Sequence, residues 1–133
     1  MAVVENKKLV ADAWQAVSDG DVDSFLNALA DDVSWTFFGT HRFAGTFSGK
    51  QSLLADLFGP LHDVLDGGIK VKINTITAEE DRVIIEVKGE AKSKSGEPYN
   101  NDYCIVVTCR DGKISEVREY LDSELVTTVF GKS

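Results

Sequence analysis

The sequence predicts an α+β fold in which three N-terminal helices pack on a curved antiparallel sheet of four to five strands. Apolar residues recur with helical spacing in the N-terminal half, whereas from Gly68 onward they alternate with polar residues. The dipeptide Asp111-Gly112 is typical of a two-residue hairpin turn of type I′. Helices followed by an antiparallel meander give the α+β assignment.

Three stretches have the one-sided apolar pattern of amphipathic helices. Gly20 is suited to end the first helix, and Asp21 to cap the second. Pro60 predicts a kink in the third helix because it lacks the N–H donor. The apolar faces of the three helices are Val10, Ala13, Trp14 and Val17; Val22, Phe25, Leu26 and Leu29; and Leu53, Leu54, Leu57, Phe58 and Leu61.

The strands follow from aromatic and β-branched residues in alternation. Residues 33–39 predict a short first strand, and the glycine-containing stretch 39–49 a long loop. Four further strands are predicted at about 69–78, 82–94, 99–110 and 113–122. In the 82–94 strand, Val83, Ile85 and Val87 must face the helices, because a one-residue slip would bury charged neighbours.

Composition limits the classes of function. The 133 residues predict a single domain, 1–133, and the net charge of −8 argues against nucleic acid as a partner. No apolar run is long enough to span a membrane, and the N-terminus lacks the apolar core of a signal peptide, so we expect a cytoplasmic protein. Cys104 and Cys109 lie on opposite faces of one strand, and His41 and His62 lie in different elements. We therefore expect no metal, and nothing indicates a cofactor.

The hairpin turn predicts a polar cluster on the last two strands. Counting outward from Asp111-Gly112 gives the pairs Ile105 with Arg118, Tyr103 with Tyr120, and Asn101 with Asp122. The length of the turn at 94–98 decides which side of the sheet carries the cluster. We favour the helix-covered side, because Gly89 and Ala91 would leave space there.

Three segments resemble the NTF2-like superfamily, which includes ketosteroid isomerases, SnoaL-like polyketide cyclases and limonene-epoxide hydrolases. They are ALADDVSW, AGTFSGKQSL and YNNDYCIVVTCRDGKISEVREYLD, and the resemblance extends over essentially the whole chain. It is closest to the SnoaL-like and ketosteroid isomerase-like branch. It implies a cone-shaped α+β fold, a homodimer formed through the outer face of the sheet, and a small apolar or aromatic ligand inside the cone.

The resemblance argues against epoxide hydrolysis. Limonene-epoxide hydrolases hold the attacking water with a Tyr and an Asn on the first strand, where this chain has Trp35 and Phe37. Their Arg and Asp, two residues apart on a later strand, correspond here to Val87 and Gly89. Only their final acid has a counterpart, Asp122 in the sequence EYLD.

The remaining acid predicts proton-transfer chemistry. A carboxylate among aromatic side chains has a raised pKa, which suits a base acting next to a carbonyl group. The resemblance therefore implies an isomerase or cyclase in which Asp122 is the general base and Tyr103 or Tyr120 donates a hydrogen bond to the enolate. The residues predicted to contact the substrate are Trp35, Phe37, His41, Asn101 and Arg118.

Each of these residues also has a structural interpretation. Asp122 would equally serve as the cap of a helix over SELVTTVF, and Arg118 would pair with Glu116 instead of an anionic ligand. His41 lies in a loop that either covers the pocket or is simply exposed. For the whole protein, the alternative is a non-catalytic module for ligand binding or dimerisation; a transport adaptor like the fold's namesake has weaker support.

Overall fold

The computed structural model describes residues 2–132. The helices are α1 (Ala2–Asp19), α2 (Val22–Ala28), α3 (Lys50–Ser52), α4 (Gly59–Val64) and α5 (Ser123–Phe130), with a π-helical segment, Leu53–Phe58, between α3 and α4. The strands are β1 (Leu29–Phe37), β2 (Gly45–Ser48), β3 (Lys70–Glu79), β4 (Arg82–Glu90), β5 (Asp102–Arg110) and β6 (Lys113–Leu121).

The six strands form one mixed sheet in the order β2-β1-β6-β5-β4-β3. The predicted α+β class is confirmed, but the sheet has more strands than the four to five predicted. Strand β2 lies within the stretch predicted as a loop, and β1 runs parallel to β6, with Trp35 opposite Val117 and Phe37 opposite Glu119. Local alternation does not report which distant strands become neighbours, so this parallel pair was not predicted.

The third predicted helix is irregular. Its central turns are π-helical, and Pro60 lies in the first turn of α4, which follows directly. Proline lacks an N–H donor, and Pro60 lies where π-helical geometry gives way to α-helical geometry; the kink itself stays a prediction.

The helix-covered face of the sheet contains the core. Val83, Ile85 and Val87 are buried, while Ile84, between them, is 39% exposed on the opposite face. The alternation predicted for this strand is therefore confirmed. On β1, the same buried face contains Trp35.

The hairpin of β5 and β6 has a bulge that the sequence count omitted. Asp111 and Gly112 have φ values of 53° and 75°, as a type I′ turn requires. Beyond the turn the register shifts at Ser115, whose hydroxyl donates to the carbonyl of Thr108 at 3.1 Å. The predicted pairs were wrong by one residue; the observed ones are Ile105 with Glu119, Val106 with Arg118, Cys104 with Tyr120, and Tyr103 with Leu121.

Candidate functional site

A cavity of about 240 Å³ lies between the helices and the inner face of the sheet. Its walls are mainly apolar, and six aromatic side chains dominate them: Trp14, Phe25, Trp35, Phe37, Phe58 and Tyr103. Apolar walls around a few convergent polar groups are typical of small-molecule sites.

The aromatic wall is one contact cluster. Trp35 is at its centre, with ring centroids 6.0 Å from Trp14, 5.9 Å from Phe25 and 6.2 Å from Phe37. The elements that supply these rings are α1, α2 and β1. Three elements thus supply these four rings, and ring packing of this kind is worth about 1 kcal/mol per pair beyond area burial.

Glu119 is the acidic residue of the cavity lining. It lies on β6 between Phe37 of β1 and Ile105 of β5, and only 6% of its surface is exposed. Burial away from water raises the pKa of Glu119 from 4.5 to about 8, against a smaller opposing effect of the Trp35 indole. Near neutral pH this carboxyl can therefore both give and accept a proton.

The indole N–H of Trp35 is buried and has no partner at hydrogen-bonding geometry among residues 2–132. It is nevertheless close enough to Glu119 to favour the ionised carboxylate, which lowers the pKa of Glu119 against the larger effect of burial. These two observations agree if the N–H points toward the carboxyl without a formed bond.

Tyr103 contributes the hydroxyl of the cavity. Its ring packs on Gly89, where an added Cβ would lie 2.9 Å from the ring atom Cε2 and 3.5 Å from the hydroxyl. The absence of a side chain at Gly89 thus makes room for Tyr103. Burial, reinforced by Tyr99 and Glu119, raises the pKa of Tyr103 well above its ordinary value, so this hydroxyl keeps its proton.

Asp122 lies outside the cavity lining, and its side chain caps α5. Its Oδ1 accepts the backbone N–H groups of Glu124 at 3.0 Å and Leu125 at 3.3 Å, and the residue is exposed. The predicted desolvated environment of Asp122 was therefore wrong. An exposed side chain bonded to backbone N–H groups is not desolvated, and this geometry fits the helix cap that the sequence offered as the alternative.

Comparison with known proteins identifies the family of the chain. Residues 10–117 match the model of the SnoaL-like domain. The chain belongs to the SnoaL-like family. An uncharacterized protein of Mycobacterium tuberculosis is 27% identical to it over 122 residues, which are 92% of each chain.

Solved structures of NTF2-like proteins share the fold of this SnoaL-like chain. An NTF2-like protein from Burkholderia xenovorans has a TM-score of 0.75 and 24% identity, over 96% of this chain and 97% of the other. A putative isomerase from Bacillus subtilis has a TM-score of 0.82 and 19% identity, over 100% of this chain and 97% of the other. An LEH-like epoxide hydrolase from Mycobacterium tuberculosis has a TM-score of 0.75 and 22% identity, over 98% of this chain and 92% of the other. At these identities the likeness shows the fold alone.

Within this SnoaL-like fold, the predicted site residues do not form one cluster. Trp35, Phe37 and Tyr103 line the cavity. Tyr120 and Arg118 lie on the outer face, because the bulge at Ser115 reverses their orientation. Tyr120 is 45% exposed and stacks on Phe38 at 4.5 Å, and Arg118 pairs with Glu116 at 3.3 Å.

Asn101 and His41 are buried near the cavity without lining it. The Asn101 amide donates to the hydroxyl of Tyr99 and the carbonyl of Asp122, both at 3.2 Å, and its Oδ1 accepts the Asp122 N–H at 3.0 Å. His41 Nδ1 accepts the Phe43 N–H at 3.1 Å, so its Nε2 donates to the Phe38 carbonyl at 3.2 Å. The predicted direct opposition of Asn101 and Asp122 in the ladder was wrong, and His41 stabilises its own loop.

The mouth of the cavity lies between the turn after α1 and the loop before β3. Gly20 and Val22 line one side, and Gly67 and Gly68 the other. His62 is exposed and also lines this mouth. Small residues on both sides leave an opening to the interior.

Sequence reasoning missed Glu119, although a signal was present. Val117, Glu119 and Leu121 share one face of β6, so the acid interrupts an otherwise apolar alternation. An acid at a core position is rare unless it is paired or functional. That exception marks Glu119 without any knowledge of the bulge.

Two further findings concern metal ions and membranes. Residues 2–132 contain no group of three or more His, Cys, Asp or Glu side chains arranged to hold a metal ion. Within the same range, no helix is long and apolar enough to cross a membrane.

Proposed function

We propose that this chain is a small-molecule enzyme of the isomerase or cyclase type that moves a proton next to a carbonyl group, with Glu119 as its general base. The observation that carries the proposal is a single buried carboxyl in an aromatic cavity, with its pKa raised to about 8. A base is most effective when its pKa lies near the working pH. Burial thus supports at Glu119 the role that the sequence assigned to Asp122.

Each polar group of the cavity has a role in this chemistry. The Glu119 carboxylate takes a proton from the carbon next to the carbonyl and returns it to another position. Tyr103 keeps its proton, so its hydroxyl can donate a hydrogen bond to the oxygen that becomes negative in the enolate. No water needs to take part, and the apolar wall limits its access.

The lining also limits the substrate class. Neither lysine nor arginine is among the residues that line the cavity, so an anionic group would lose its water without gaining a cationic partner. The aromatic rings instead provide flat apolar surfaces. We therefore propose a neutral, largely apolar or aromatic substrate with one carbonyl oxygen.

The test is exchange of the α-protons of 2-tetralone, an enolisable bicyclic ketone, with deuterium from D2O, followed by NMR. Glu119→Gln should slow the protein-dependent exchange by about 10²- to 10⁴-fold, the usual contribution of a general base. Glu116→Gln is the matched control, since Glu116 is an acid on the outer face of the same strand. Equal exchange in wild type and Glu119→Gln would refute the assignment.

The same ketone distinguishes an enzyme from the alternative, a non-catalytic binding module. A non-catalytic binding module would bind 2-tetralone, detected by quenching of tryptophan fluorescence, without accelerating exchange. Binding without exchange across a panel of enolisable ketones would favour this alternative.

We further propose a homodimer formed through the outer face of the sheet. Phe38, Tyr120 and Ile84 are large side chains that remain 39%, 45% and 39% exposed there. Sedimentation velocity should give a dimer that Tyr120→Glu dissociates; a wild-type monomer at high concentration would contradict it. The single-domain organisation and the cytoplasmic location stay predictions of the sequence.

A further inference from the structure

We propose that Trp35 is a positioning residue for Glu119: its indole N–H donates a hydrogen bond to the carboxylate when Glu119 is ionised and has no partner when Glu119 carries its proton. The inference deepens the proposed function, because it concerns the same acid. Its test, however, needs neither a substrate nor activity.

The placement of the two residues is the first support. In the parallel pair of β1 and β6, Glu119 lies opposite Phe37, and Trp35 is two positions earlier on the same face. Trp35 is therefore the diagonal neighbour of Glu119, a distance that a long aromatic side chain can cover. Both side chains line the same cavity and are buried, with 5% and 6% of their surface exposed.

The second support is the orphaned donor. Among residues 2–132, Trp35 Nε1 is the one buried side-chain nitrogen or oxygen atom that has no hydrogen-bond partner. A buried N–H without an acceptor costs about 1–3 kcal/mol, so such groups are rare and call for a reason. A neighbouring carboxylate explains the unpaired N–H, because it becomes an acceptor when Glu119 loses its proton.

The third support is the direction of the electrostatic effect. The Trp35 indole favours the charged form of Glu119, whereas burial disfavours it. A hydrogen bond to an ionised acceptor is shorter and stronger than one to a neutral acceptor. The N–H therefore gains most when the carboxyl has lost its proton.

Other titratable groups lie around Glu119, but among residues 2–132 the Trp35 indole is the side-chain donor whose hydrogen bonding lowers the pKa of this carboxyl. Tyr103 on β5 and His62 on α4 line the cavity, and Tyr99 lies before β5. Tyr99 and Tyr103 have pKa values raised by burial. His62 is exposed at the mouth, and the lining residues of α1, α2 and β3 carry no titratable side chain. Tyr103 is also a neighbour of Glu119, but its hydroxyl interacts with that of Tyr99, which leaves the Trp35 indole as the donor toward the carboxyl.

The consequence is that the Trp35 indole N–H tunes the pKa of Glu119, and with it the strength of this base. Replacing Trp35 by Phe keeps an aromatic ring and removes the donor. The pKa of Glu119 should then rise by about one unit, the equivalent of one charge-assisted hydrogen bond. The carboxylate fraction at pH 7 would fall about tenfold.

The experiment is an NMR titration of the ligand-free protein from pH 5 to pH 10. The Trp35 indole ¹H–¹⁵N resonance should move downfield with a midpoint near the Glu119 pKa of about 8, and this movement should be lost in Glu119→Gln. Side-chain ¹³C detection follows the Glu119 carboxyl itself. Trp35→Phe should raise its midpoint, while the control Trp14→Phe, which removes another indole from the cavity, should not.

The outcomes separate cleanly. If the Glu119 carboxyl titrates while the Trp35 indole does not respond, or if both tryptophan variants shift the midpoint equally, the inference is overturned. Neither result depends on exchange of 2-tetralone, so the role of Glu119 as base would remain to be judged by that assay alone.

Discussion

Glu119 lies directly opposite Ile105 in the hairpin of β5 and β6, at the position that a regular count from the turn assigns to Arg118. One extra residue, Ser115, causes the difference. The shift directs a carboxyl into the aromatic cavity and the guanidinium of Arg118 to the outer face, where it pairs with Glu116. The chemistry of the cavity therefore depends on a β-bulge, a feature known to redirect side chains next to functional sites.

The rate of proton exchange should rise with pH. Glu119 acts as a base only when ionised, and its pKa is raised to about 8, so kcat/KM for 2-tetralone should increase about tenfold per unit below pH 8 and level off above it. A pH–rate profile in D2O measures this. A profile that falls through the same range would mean that the protonated acid is the active form.

Folding stability should decrease as pH rises from about 4.5 to about 8. In this window the unfolded chain has lost the Glu119 proton while the folded chain retains it, so each pH unit disfavours the folded state. The total is on the order of a few kcal/mol. Urea unfolding of wild type and Glu119→Gln at pH 5, 7 and 9 measures this effect. The difference between their free energies of unfolding should change between about pH 4.5 and about pH 8 and stay constant above that range. The same difference at all three pH values would contradict the buried acid.

Asp122→Ala should lower stability without affecting the chemistry. Its carboxylate accepts two backbone N–H groups at the start of α5, and loss of such a cap costs about 1 kcal/mol. Asp122→Asn, which can still accept those bonds, is the matched control. Thermal unfolding gives the stability, and exchange of 2-tetralone the activity. Loss of exchange in both variants would restore Asp122 as the base.

Gly89→Ala should disturb the cavity. The added Cβ would meet Tyr103 Cε2 at 2.9 Å and Ile69 Cγ2 at 3.3 Å, so the tyrosine ring must move. Overpacking of this kind costs about 1–3 kcal/mol. Gly68→Ala is the control at the mouth of the cavity, since a Cβ there has no heavy atom within 4 Å. Unfolding measurements should show the loss in the first variant only; equal stability of the two would contradict the contact.

The sequence predicted the parts of the fold that local patterns encode. The periodicity of the first helices, the alternation in β4 and the Asp111-Gly112 turn each have their counterpart in the structure. The resemblance of the N-terminal and C-terminal motifs indicated the SnoaL-like family, which the match over residues 10–117 establishes. Trp35 and Phe37 were expected to share one face, because alternation within a strand does not depend on its neighbours, and both line the cavity.

The identity of the buried acid was decided by tertiary structure. A hairpin count is valid only while two strands advance residue by residue, and one bulge exchanges every inward and outward side chain beyond it. Nothing in the letters around Ser115 announces the bulge. The parallel pairing of β1 with β6 likewise joins residues distant in the chain and brings Trp35 beside Glu119. The sequence by itself thus determined that an acid on the last strand would lie near aromatic rings, and its pattern marked Glu119 as an acid among apolar residues. Only the assembled sheet and helices decide that water is excluded from Glu119 and not from Asp122.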